Sequence, residues 1–185
     1  MALKDHLANP QLLLSLYGED LPEVLAGVRI RSVNLDWRGP TARLRIDLPG
    51  FPRTPPVDWG DLDTVQCQLE FLAVERIAMA EWEPPAFGDV RMMRLGDGDG
   101  DGDGDCGDGD CGDGDCGVRR MRVEVAGRGV DLRFESHESA TVRHVSAFRR
   151  GASGEDDGPQ RFVSGLDSRL HTFLPPTDEE TFYEH

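Results

Sequence analysis

The spacing of apolar positions changes character once along this chain. Leu12, Leu13, Leu16 and Tyr17 recur at helical spacing, so a short amphipathic helix is predicted there. Asn9 is placed to cap it, Pro10 suits its first turn and Gly18 closes it. From Val28 onward the period is two. Val28 and Ile30 alternate with Arg29 and Arg31, and the phase then slips to Val33, Leu35 and Trp37, which predicts a bulge near Arg31–Ser32. A turn at "RGP" (38–40) leads to alternating Leu44, Ile46 and Leu48. Residues 48–61 carry four prolines and two glycines and read as an irregular loop anchored by Phe51 and Trp59.

Val65, Cys67, Leu69 and Phe71 predict the next strand, and a weaker one runs from Ile77 to Trp82. "EPPAFG" (83–88) reads as its break. Strands follow over 90–95, 118–125 and 130–134, with "AGRG" (126–129) as a tight turn. The last strand spans 141–148, with Val142, His144, Ser146 and Phe148 expected on one side. The prediction is a mainly β fold: an antiparallel sheet or sandwich of about eight short strands with one N-terminal helix, forming a single domain over residues 1–150. After Gly151 the periodicity stops, and 151–185 is expected to be an acidic, flexible tail.

Between two of these strands lies "GDGDGDGDGDCGDGDCGDGDCG" (96–117), with ten glycines, nine aspartates and three cysteines. Asp97, Asp99, Asp101 and Gly102 open like a calcium-binding loop, but position twelve is Asp108 where a longer bidentate glutamate should close the cage. Cys106, Cys111 and Cys116 lack the paired spacing of a zinc knuckle. The stronger reading is an Asp-Gly hairpin turn multiplied into a low-complexity loop insertion, since Asp-Gly is a favoured two-residue turn. Divalent metal (calcium) binding through this tract is the alternative function.

The tract alters how the charge is read. The net charge is −15; the tract's nine aspartates and a net −6 in 151–185 account for all of it, leaving a neutral body. Within that body, residues 1–90 carry a net −6, while 91–95 and 118–150 carry a net +6. A neutral body argues against nucleic acid as a partner. No apolar run reaches the roughly 18 residues that span a bilayer, and no signal-peptide pattern appears, so a cytoplasmic protein without membrane contact is expected.

Catalytic patterns fail on their spacing. "HESATVRH" (137–144) begins like a zinc-protease helix, but position 141 is Thr. No nucleophile elbow or phosphate loop occurs. Neither an enzyme activity nor a cofactor is expected. The tryptophans stand out instead. Trp37 lies between Asp36 and Arg38, Trp59 follows Asp58, and Trp82 sits between Glu81 and Glu83. Tryptophan flanked by charge at strand ends has the profile of an interface anchor. The candidate partner-binding residues are therefore Trp37, Trp59, Trp82, Asp36, Asp58, Glu81 and Glu83.

Taken together, Asn9-Pro10 with Leu16-Tyr17-Gly18, the run from Arg43 to Leu48 into Pro49 and Phe51, Trp59, Trp82 and the closing "VSAF" (145–148) resemble the immunity protein 50 family. The likeness spans roughly residues 7–149, and the tract and the segment from 151 are extra. It implies a mainly β protein, encoded beside a bacterial polymorphic toxin, that neutralises this cognate toxin by binding. It implies no enzyme activity and assigns no contact residues.

Overall fold

A computed structural model describes residues 2–95, 119–152, 154 and 156–170. Helix α1 (Gln11–Tyr17) precedes strands β1 (Leu25–Asp36), β2 (Thr41–Asp47), β3 (Thr64–Phe71), β4 (Glu75–Leu95), β5 (Arg120–His137), β6 (Thr141–Arg150) and β7 (Asp156–Phe162), with a last short helix α2 (Gly165–Leu170). The strands make one antiparallel sheet in the order β5-β4-β1-β2-β3-β6-β7. The mainly β expectation holds, with one short N-terminal helix.

One sheet face carries the core. Leu44 and Ile46 on β2, Val65, Cys67 and Leu69 on β3, and Val123 and Val125 on β5 are all buried. Helix α1 packs Leu13 and Tyr17 into this core, and the Tyr17 hydroxyl donates to the Gly50 carbonyl at 2.7 Å. The predicted helix differs at its start. Asn9 makes no cap; its Nδ2 donates to the Val142 carbonyl and its Oδ1 accepts from the Val142 N–H, tying the chain before α1 to β6.

The opposite face is built from charge. Asp47 is buried and takes both arms of Arg31, at 2.9 and 2.8 Å, plus the Gln66 amide at 3.2 Å. Glu70 receives Arg43 at 2.8 Å and Arg143 at 2.7 Å. The Arg31 guanidinium also lies 4.9 Å from the Phe148 ring centroid. Paired and hydrogen-bonded in this way, charge is tolerated on a largely enclosed face.

The bulge predicted near Arg31–Ser32 is present, as the β1–β2 register shifts between Ile30 and Ser32. Other expectations need correction. "EPPAFG" does not end a strand and "AGRG" is not a turn; both lie within the continuous β4–β5 hairpin, whose register shifts between Trp82 and Phe87. A Cβ on Gly127 would lie 2.2 Å from the Phe87 carbonyl oxygen, and one on Gly88 would lie 2.6 Å from that of Ala126. These glycines admit close backbone approach at a bend. Past the bend the hairpin returns on itself: Arg120 meets Glu75 at 3.1 Å and Arg122 meets Glu135 at 3.3 Å. Where about eight short strands are expected, the described residues form seven, two of them long.

On β6 the expected single-sided alternation fails because the strand bulges opposite Gln66–Gln68, with His144 at a φ of 47°. Val145 and Ala147 thereby join Val142 in the core, while Phe148 turns to the charged face. Finally, the start of the expected tail is an ordered edge strand. Residues 156–162 pair with β6, and Ser146 Oγ donates to the Gln160 side chain at 2.6 Å. The Gly/Asp/Cys tract and residues from 171 onward lie outside the described residues; the hairpin closes on the pair Leu95–Arg120.

Candidate functional site

The β1–β2 turn is held locally, and its aromatic residue is left over. Asp36 Oδ1 accepts from the Arg38 backbone N–H at 2.9 Å, which fixes the turn. Trp37 then projects outward, 71% exposed, with the Arg38 guanidinium 5.6 Å from its ring centroid. The link from β3 to β4 comes alongside, since the Val74 N–H donates to the Pro40 carbonyl at 2.8 Å. That contact brings two further exposed apolar side chains, Leu72 and Ile77, to the same end of the sheet. A cavity of about 340 Å³ at this end is lined by Leu35, Trp37, Pro40, Val74 and Ile77, with Asp36 and Thr41 at its polar side.

The other candidates are placed elsewhere. Trp59 is a core residue, 3% exposed and packed against Phe51 with the rings tilted at 51° and 5.8 Å between centroids, so the loop-anchor reading holds and it offers no exposed contact surface. Its neighbour Asp58 is exposed on the same short 3-10 turn. These two follow the far end of β2 from Trp37, a strand of seven residues and so about 23 Å long. Trp82 is half-buried, packed on the core and paired with Val130. Glu81 and Glu83 beside it are exposed, and Glu81 stands opposite Asp131 in the register. Of the candidates, Asp36 and Trp37 alone line the cavity at the β1–β2 turn. Leu72 and Ile77 were missed because their apolar character reads as strand interior; nothing local reveals that the β3–β4 link surfaces beside the turn.

Catalytic or metal-binding geometry does not emerge from the described residues. His144 Nδ1 lies 3.3 Å from Asp167, between β6 and α2. Among the described residues no group of three or more His, Cys, Asp or Glu side chains could hold a metal ion. No helix among them is long and apolar enough to cross a membrane. Cys67 is wholly buried, and its thiol is pushed up to about 12 by burial, with Asp47 adding to the effect.

An exposed aromatic on a fixed turn, ringed by aliphatic side chains and edged by charge, has the make-up of a protein-binding face. Residues 9–98 match the family model for immunity protein 50, and in that span the chain is similar to this family. The matched stretch runs from Asn9 through the end of β4, so β5, β6 and β7 lie beyond it. No curated protein and no solved structure matches the chain.

Proposed function

We propose that this protein neutralises a cognate bacterial polymorphic toxin in the cytoplasm, by binding it stoichiometrically and covering its active site or substrate path. The match of residues 9–98 to the immunity protein 50 family model supports a toxin as the partner. The single observation that carries the placement is Trp37, exposed on a turn fixed by Asp36 and lining one cavity with Ile77. A large, stiff aromatic loses little conformational freedom on binding and removes much apolar surface from water, which is why such residues dominate interface energetics. Asp36 orients the turn; Trp37 is the anchor.

The test is co-expression with the toxin domain encoded beside this gene, paired with calorimetry of the purified proteins. Trp37→Ala is expected to fold normally, to weaken binding by about 30-fold (roughly 2 kcal/mol), and to reduce protection of growing cells. Asp58→Ala, at the opposite end of β2, is expected to leave both unchanged. Wild-type affinity in the Trp37→Ala protein would move the binding face elsewhere.

A further inference from the structure

Beside the apolar end lies a second cleft whose chemistry is different. It measures about 430 Å³ and is lined by Arg76, Arg122, Arg133, Glu124, Glu135 and neighbouring Ala78 and Phe134. Folding back of the β4–β5 hairpin creates it, because Arg122 and Glu135 belong to opposite halves of β5. Glu135 is buried, and Arg76 and Arg122 both approach its Oε1, each at 3.3 Å. One carboxylate oxygen therefore serves two guanidinium groups, each of which has five N–H donors to place. Arg76 and Arg122 remain 75% and 47% exposed. Arg133 is exposed and makes no ion pair among the described residues. Three arginines against two glutamates leave the cleft with an excess of positive charge and unused forked donors.

This cleft and the apolar end share a stretch of backbone. Ile77 lines the apolar cavity, and the residues on either side of it, Arg76 and Ala78, line the basic one. Arg76 holds a φ of 52° within the bulge between Glu75 and Ala78, so the strand departs from simple alternation where the two surfaces meet.

We infer that the cleft receives an acidic side chain of the bound protein, a carboxylate seated between Arg76, Arg122 and Arg133 beside an apolar residue gripped by Trp37 and Ile77. The inference rests on the toxin-binding reading above and adds the partner's chemistry to it. A planar carboxylate suits forked guanidinium donors, which bind it bidentately. A protein is favoured over a nucleic acid because the cleft adjoins exposed apolar side chains, and because a chain of net charge −15 repels a long polyanion. The partner's contact patch is then acidic at one point. That is the reverse of what the acidic first half of the sequence alone suggests.

Arg133→Glu is the clean variant, since it leaves both partners of Glu135 in place; Arg133→Gln serves as its neutral counterpart. Both are compared with Trp37→Ala against the same neighbouring toxin domain, after thermal melts confirm folding, across a series of salt concentrations. The proposal expects Arg133→Glu to weaken binding about tenfold or more, Arg133→Gln to weaken it less, and both to flatten the salt dependence. Wild-type affinity and salt response in Arg133→Glu, with binding lost in Trp37→Ala, would overturn the cleft and leave the toxin-binding reading standing. Wild-type binding in all three variants, or no binding by the parent protein, would overturn both. Salt-sensitive binding of a short single-stranded RNA that Arg133→Glu abolishes would overturn the carboxylate assignment.

Discussion

Asn9 presents its side-chain amide to Val142 as if it were another strand residue, donating to the carbonyl at 2.9 Å and accepting from the N–H at 2.7 Å. The pair joins residues 133 apart in sequence, and it positions α1 over the sheet without any side-chain cap at the helix N-terminus. A parallel bridge between Leu7 and Ala140 lies next to it.

Removing that clasp leaves two partly buried backbone groups of β6 unpaired. Asn9→Ala is expected to lower stability by about 2 kcal/mol, the cost of leaving such groups unsatisfied. Urea unfolding followed by tryptophan fluorescence measures it. A loss typical of a helix-cap deletion alone, with Val142 still protected from amide exchange, would refute the clasp.

The hairpin bend makes a steric prediction. In Gly127→Ala the new methyl would sit 2.2 Å from the Phe87 carbonyl oxygen and 2.5 Å from the Gly88 Cα. Backbone on both sides gives way poorly, so a loss of about 3 kcal/mol is expected, at the upper end of overpacking costs. Gly39→Ala meets nothing within 4 Å and is expected to change the melting temperature little.

The same bend explains what the sequence conveys and what it hides. Alternation placed β2 and β3 almost to the residue, and a phase slip located the bulge after Ile30, because one face of each strand is apolar. "EPPAFG" and "AGRG" carry every mark of a turn, yet each is held in the ladder by the other. Pairing between residues some forty apart overrides local composition. β7 was invisible for a related reason: its place comes from β6 and not from its own pattern. Of the candidate surface, Trp37 was legible through its charged flanks, whereas Leu72 and Ile77 became visible only once Val74 was seen bonded to Pro40.

His6 supplies a pH dependence. It is 4% exposed at the edge of the core, and burial, with Arg94 nearby, holds its imidazole below the ordinary 6.5. The folded state therefore resists a proton that the unfolded chain accepts. Stability is full above about pH 6.5 and falls as the solution is acidified through that value. His6→Leu is expected to flatten the fall in melting temperature between pH 7.5 and 5.5, and subtracting its profile from the parent's separates His6 from the other four histidines. Superimposable profiles would show that His6 does not titrate differentially.

The Gly/Asp/Cys tract is expected to be dispensable for folding. The hairpin closes on Leu95–Arg120, and deleting residues 97–116 leaves four residues between them, enough for a hairpin loop. Shortening the connection from 24 to 4 residues lowers its closure cost by about 1.5 kcal/mol. The melting temperature should hold or rise, and protection against the toxin should persist. Calcium that stabilises the full chain but not the shortened one would instead give the tract a metal-binding role.

The order of strands also separates the family's span from the unit that folds. β3 lies against β6 and β4 against β5, so a fragment cut at residue 98 would expose two raw sheet edges and the bare flank of its core. Such a fragment is a recipe for strand-to-strand aggregation. The matched portion is thus only half of a fold, and β5 and β6 are what close its two open edges.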